Sequence, residues 1–185
     1  MKWLLIATAW LVALPLGALQ DKPEQSSKPG LCARYFNVAK EIQTFPALVE
    51  GQKPQLCRID PLINFESKDG AGFVDLPWKE YFAVVWTGVL RVPKEAQYTF
   101  YLKSDDGSKL SLDGKVLIDH DGTHKMTEGA KSVDLTAGDH DFKLEYFQNR
   151  DKAGCVLSWK SEGMDKQLVP ASAFWHRHDK ELDAR

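Results

Sequence analysis

The stretch Tyr98-Thr-Phe-Tyr-Leu-Lys-Ser-Asp-Asp-Gly107, continued by Ser-Lys-Leu-Ser-Leu-Asp-Gly-Lys-Val-Leu-Ile-Asp119, decides the fold class. Aromatic and apolar residues alternate with polar ones as far as Ser104, the period of a strand with one buried face. The alternation stops at two adjacent aspartates and a glycine. A second alternating run is broken by Asp113-Gly114, a two-residue hairpin signal. Asp105 and Asp106 are therefore expected side by side where a strand ends, at the rim of a sheet. Two adjacent carboxylates on a rim loop are one way to begin a hard-cation site. From these residues alone, Asp-Asp-Gly is more simply a polar turn.

Working outward, strand-like segments recur between turn signals at roughly ten-residue intervals, as in a sandwich or barrel. They are Leu31–Phe36, Leu56–Ile59, Phe82–Val92, Gln97–Ser104, Lys109–Asp113, Lys115–Ile118, Ser132–Leu135, His140–Phe147 and Cys155–Trp159. Val92-Pro93, Asp121-Gly122, Ala137-Gly138-Asp139 and Glu162-Gly163 punctuate them. Sustained helical periodicity is absent from this body, and no internal repeat is found. The expected fold is all-β. Trp86, Phe100, Phe142, Tyr146 and Trp159 fall at strand positions and are assigned to the core, with Trp175 closing one end.

The chain has 185 residues, and its first 18 read as a secretory signal peptide. Lys2 supplies the positive start, Trp3 to Leu16 is apolar apart from Thr8, and Gly17-Ala18 are the small residues before cleavage. The run is too short and wrongly flanked for a stable membrane span. A secreted protein, periplasmic or extracellular, is expected. Residues 19–29 read as a flexible linker rich in Pro, Ser and charge, 30–176 as one domain, and 177–185 as a charged tail. The formal net charge of −2 comes with neither a basic stripe nor a long acidic run, so composition offers no case for nucleic acid. Three cysteines survive cleavage. Cys32 with Cys57 is the preferred disulfide, leaving Cys155 as a buried thiol, although pairing of Cys155 with either stays open. Cys-x-x-Cys spacing is missing, which argues against zinc.

Several ordered motifs together resemble the protective-antigen-fourteen domain, a module named after anthrax toxin and found in bacterial glycosidases, adhesins and yeast flocculins. They are Tyr98–Gly107, Leu110–Asp119, Asp121-Gly-Thr-His124, Val133–His140 and Tyr146-Phe147 with Ser158-Trp159. Gly30-Leu31, Tyr35-Phe36 and Trp86-Thr-Gly88 look like its earlier landmarks, so the resemblance covers about residues 30–175. It implies an antiparallel β-sandwich, jelly-roll-like, with the aspartate pair on an apical loop. In sugar-binding members the pair is joined by a cis peptide and chelates calcium, which then takes two sugar hydroxyls. Carried over, the metal ligands here are Asp105 and Asp106. Gln148, with Asn149 as the alternative, falls where the family takes a side-chain ligand from a second loop. Calcium is thus the implied cofactor, and glycans or polysaccharide the implied partners.

His120 and Asp121 become candidate sugar contacts if their rim hairpin lies near the calcium loop; otherwise Asp119 and Asp121 bond their own turn. Trp78, after Pro77, is the candidate for an exposed ring that stacks on sugar, although packing into the body is the commoner fate. His176-Arg-His178 reads as a solvated end. Asp119, Asp121, Gly122 and Glu128 fit parts of an EF-hand loop, but Leu117 stands where the first acid is required. The chain offers no Gly-x-Ser-x-Gly, Walker loop or His-Glu-x-x-His. Adjacent chelating carboxylates converge, whereas glycoside hydrolysis needs them about 5 Å or more apart across the bond. A non-catalytic, calcium-dependent carbohydrate-binding module is expected. The alternative is a secreted structural or protein-interaction module without a sugar site.

Overall fold

Thirteen strands form two antiparallel sheets, in a computed structural model that describes residues 27–38, 40–45, 53–66, 73 and 75–177. In chain order they are β1 (Lys28–Pro29), β2 (Leu31–Asn37), β3 (Leu56–Asp60), β4 (Asn64–Glu66), β5 (Phe82–Val92), β6 (Ala96–Asp105) and β7 (Ser108–Leu112). There follow β8 (Lys115–His120), β9 (Thr127–Leu135), β10 (Gly138–Gln148), β11 (Gly154–Ser161), β12 (Met164–Leu168) and β13 (Phe174–His176). The larger sheet runs β1-β13-β5-β10-β7-β8, with β2 joining β5 to β3. The smaller runs β12-β11-β6-β9, with β4 also on β11. The proposed leader, most of the linker and nearly all of the tail lie outside the described residues.

The alternation read from sequence is the burial pattern observed. Tyr98, Phe100 and Leu102 of β6 face Phe142, Leu144 and Tyr146 of β10 across the sandwich, each at most 3% exposed. Trp86, Phe82 and Val84 of β5 and Cys155, Leu157 and Trp159 of β11 complete the centre. The Cys155 thiol, deep in this core, is pushed well above its ordinary pKa by burial. One carboxylate enters the core fully bonded: Asp60 accepts from the Tyr35 hydroxyl (2.5 Å), Trp86 Nε1 (2.7 Å) and Arg58 Nε (2.7 Å). A buried carboxylate persists only with such partners.

Asp113-Gly114 makes the expected turn, with φ of 48° and 74° and Leu112 opposite Lys115. The strands β1, β4, β12 and β13 carry no sequence signal. β12 is almost wholly exposed and β1, β4 and β13 are two or three residues long, so neighbours rather than periodicity define them.

Three expectations are corrected here. Cys32 and Cys57 are not joined: Cys32 lies opposite Ile59 and Cys57 opposite Arg34, two places out of register. Such diagonal neighbours stand about 7–8 Å apart, beyond the usual disulfide span. Trp175 does not close an end of the core; its ring lies 4.5 Å from the Arg91 guanidinium, and its neighbour Phe174 is the buried residue. His176 is no solvated end either, being 4% exposed with Nδ1 3.1 Å from the Gly30 carbonyl. His178 is outside the described residues.

Candidate functional site

Three connections cross from one sheet to the other at the same rim. β6 to β7 crosses through Asp105-Asp106-Gly107, β8 to β9 through residues 121–126, and β10 to β11 through residues 149–153. Register brings their ends together: Asp105 opposes Gly154, Ser104 opposes Thr127, and Ser108 opposes Tyr146. They enclose an open cleft of about 850 Å³ lined by Asp105, Asp106, His124, Met126, Arg150 and Asp151, with Lys79, Glu80, Lys125 and Lys152 around them.

The Asp105–Asp106 peptide bond is cis. Both carboxylates meet backbone donors from the other loops. Asp106 accepts the N–H of His124 at Oδ1 (3.1 Å) and of Asn149 at Oδ2 (2.8 Å), and the Met126 N–H donates to Asp105. Gly107 lies so close to Phe147 and to the Gly122 backbone that a Cβ there would clash, and its carbonyl accepts from the Phe147 N–H (2.9 Å). Aspartates 105 and 106 thus hold three crossings in one arrangement.

The cost is electrostatic. Burial, then the Asp106 charge, pushes the Asp105 carboxyl up to about 6, with Asp151 adding to the effect. Burial also raises Asp106, against the pull of the Asn149 and His124 N–H groups. A site that resists holding two ionised carboxylates is one that a cation would relieve.

The second loop differs from expectation. Gln148 is wholly buried and braces the loop: its Nε2 donates to the Arg150 carbonyl (2.7 Å) and lies 3.2 Å from that of Lys152. Its Oε1 is 2.9 Å from the Tyr146 hydroxyl, which also lies 2.6 Å from the Asp105 carbonyl. Asn149 turns Oδ1 to the Ile42 N–H (3.1 Å). Neither amide lines the cleft. The residue that does is Asp151, at φ 63°, a left-handed turn position that aspartate tolerates. Sequence reasoning missed it, though its place in Asn149-Arg-Asp-Lys152 is the turn signal that could have found it.

The proposed sugar contacts also move. Asp121 bonds its own turn at Gly122 (2.9 Å) and takes the Phe45 N–H (2.7 Å). His120 packs edge-on to His124 and hydrogen-bonds Thr127 (2.9 Å); burial and the neighbouring His124 lower its pKa. Trp78 is half-buried against the core. None of the three lines the cleft, whereas His124, Lys125, Met126 and Arg150 do.

The oxygen donors that line the cleft are the carboxylates of Asp105, Asp106, Asp151 and Glu80. That chemistry suits a hard dication that takes six to eight oxygens, and not zinc. Among the described residues, no three His, Cys, Asp or Glu side chains converge at metal-binding distance. Asp105 and Asp106 would hold such an ion, with the shell completed by further oxygens.

A two-sheet sandwich with a cis aspartate pair at a three-crossing rim defines a class of β-sandwich module. The chain belongs to the PA14 domain family, whose pattern matches residues 27–173. It is 35% identical over 122 residues to the anti-sigma-I factor RsgI3 of Acetivibrio thermocellus, covering 65% of this chain and 19% of that protein. A solved anti-sigma factor domain-containing protein shares 32% identity at a TM-score of 0.69, over 82% of this chain and 48% of that one. The chain therefore spans about a fifth and about half of these relatives. The PA14 sugar-binding domain from an RTX adhesin shares the fold, with a TM-score of 0.65, 17% identity, and 80% and 98% coverage. Among the described residues, no helix is long and apolar enough to cross a membrane.

Proposed function

We propose that the chain is a non-catalytic, secreted, calcium-dependent carbohydrate-binding module. The observation that carries this is the adjacent Asp105–Asp106 pair facing an open cleft, with Asp105 pushed up to about 6 by burial and the Asp106 charge. Calcium held by Asp105 and Asp106 would offset their repulsion and supply open coordination positions for paired sugar hydroxyls. Asp151 adds a third carboxylate to the same cleft. The solved neighbour described as a sugar-binding PA14 domain supports the reading.

The protein's own groups do the remaining work. The backbone N–H groups of His124, Asn149 and Met126 fix the carboxylates, and Tyr146 with Gln148 fixes the loop carrying Asp151. Met126, packed on Gly154, is the half-buried apolar patch against which a sugar face can rest.

The test is a glycan array probed in calcium and again in chelator, with calcium affinity measured separately by calorimetry. Calcium binding, with glycan signals that vanish in chelator, is the expected result. Absence of calcium binding would overturn the reading. The likeness to anti-sigma factor domains favours a second reading, a secreted structural or protein-interaction module within a longer protein. Under that reading Asp105→Asn leaves partner binding unchanged.

A further inference from the structure

The charge around the cleft sorts by position. Carboxylates of Asp105 and Asp106 lie at its floor, whereas four cations, Lys79, Lys125, Arg150 and Lys152, stand at its exposed edge beside two further carboxylates, Glu80 and Asp151. Elsewhere many surface cations are matched: Arg91 to Asp139 (2.7 Å), Lys103 to Glu66 (3.0 Å), Lys143 to Glu145 (2.6 Å) and Lys166 to Glu128 (2.7 Å). Among the described residues, no carboxylate pairs with Lys79, Lys125 or Lys152. Arg150 is itself steered, stacking on Tyr81 and bonding its hydroxyl, with Glu41 3.7 Å away. This edge is basic on a chain whose formal net charge is −2.

A dication on the aspartate pair would change the balance. The lining carries four cations and four carboxylates, Glu80 and Asp151 included, so a bound divalent ion leaves it two charges positive. A neutral hexose has no use for that excess. A sugar bearing carboxylate or sulfate groups would meet it twice, at the hard cation, which prefers oxyanions to hydroxyls, and at the ammonium edge.

We infer that the glycan bound at this cleft is anionic, with its acidic groups held by Lys79, Lys125, Arg150 and Lys152 around the metal. The inference rests on the carbohydrate reading of the same site and specifies the class of sugar.

The experiment is calorimetric titration of the chain, in calcium, with three matched ligands. These are a galacturonate trimer, the same trimer with its carboxyls reduced to alcohols, and a sulfated galactose trimer. Expected is about tenfold tighter binding of at least one anionic trimer than of the reduced one, an advantage that shrinks as salt rises. The better anionic ligand identifies the acidic group. Lys79→Gln with Lys152→Gln weakens that ligand by about fivefold without weakening calcium binding. Equal or tighter binding of the reduced trimer overturns the inference while the lectin reading stands. Binding of calcium without any of the three sugars overturns the inference too. Failure to bind calcium at all removes the reading on which it rests.

Discussion

The backbone N–H of Asn149 donates to Asp106 Oδ2 across 2.8 Å, joining the loop that ends β10 to the loop that ends β6. The other oxygen of the same carboxylate takes the His124 N–H at 3.1 Å. One side chain, 6% exposed, therefore satisfies donors from both partner loops. Asp106 is as much a structural residue as a candidate ligand.

Asp106→Ala strands both N–H groups in a half-buried rim. Leaving buried donors unsatisfied costs about 1–3 kcal/mol each, less where water can enter. A loss of about 2 kcal/mol is expected in urea unfolding without calcium. Asp105→Asn, which removes a charge that burial and Asp106 already oppose, is expected to hold or raise stability without metal. Equal losses for the two variants would contradict this division of roles.

Gln148 separates brace from ligand. Were it a metal ligand, Gln148→Glu would add a carboxylate and tighten calcium binding. As a brace, the same change leaves the Arg150 carbonyl without its 2.7 Å donor. The expected outcome is weaker calcium binding, by about tenfold if the cost is near 1.4 kcal/mol. Calorimetry on the variant and wild type decides the direction.

Gly107 has room for a hydrogen only, with Phe147 on one side and Gly122 on the other. Gly107→Ala forces the Asp-Asp loop away from its neighbours. Overpacking of this kind costs about 1–3 kcal/mol, and here it should lower metal affinity as well as stability. Gly114→Ala meets no neighbour but sits at φ 74°, so it should destabilise the hairpin while leaving metal affinity alone.

His140 supplies a pH dependence far from the cleft. Burial alone would lower its pKa, but hydrogen bonds to Asp113 Oδ2 (2.7 Å) and the Thr136 carbonyl (3.0 Å) raise it above the ordinary value. Both partners are acceptors, so both ring nitrogens donate when the ring is protonated. The native state then holds the proton more tightly than the unfolded chain. This stabilisation is complete below about pH 6.5 and is lost as pH rises through the elevated native value. Melting curves from pH 6 to 8 should fall more steeply for wild type than for His140→Gln.

Much of the molecule was legible in its residues. Alternation over Tyr98–Ser104 and His140–Tyr146 marked which faces are buried, because a strand of period two can hide only one set of side chains. The paired aspartates at a strand end, read through the family resemblance, drew attention to the rim where three crossings meet. The rest depended on what came near. The Cys32–Cys57 pairing failed on a two-residue offset in register that no spacing reveals. Gln148 and Asn149 stand where β10 enters the loop to β11, yet their amides turn to satisfy carbonyls and N–H groups.

By itself, then, the sequence determined an all-β fold, its main strands, its Asp113-Gly114 turn and the presence of two adjacent carboxylates at a rim, with the family resemblance adding the sandwich. These are local properties: periodicity, turn chemistry and nearest neighbours along the chain. Only the tertiary structure decided that three crossings share one rim, that Asp151 lines the same cleft as the pair while His120, Asp121 and Trp78 do not, and that lysines edge the cleft. Those facts arise from the register of strands distant in sequence, and from the need of every buried polar group to find a partner wherever the fold supplies one.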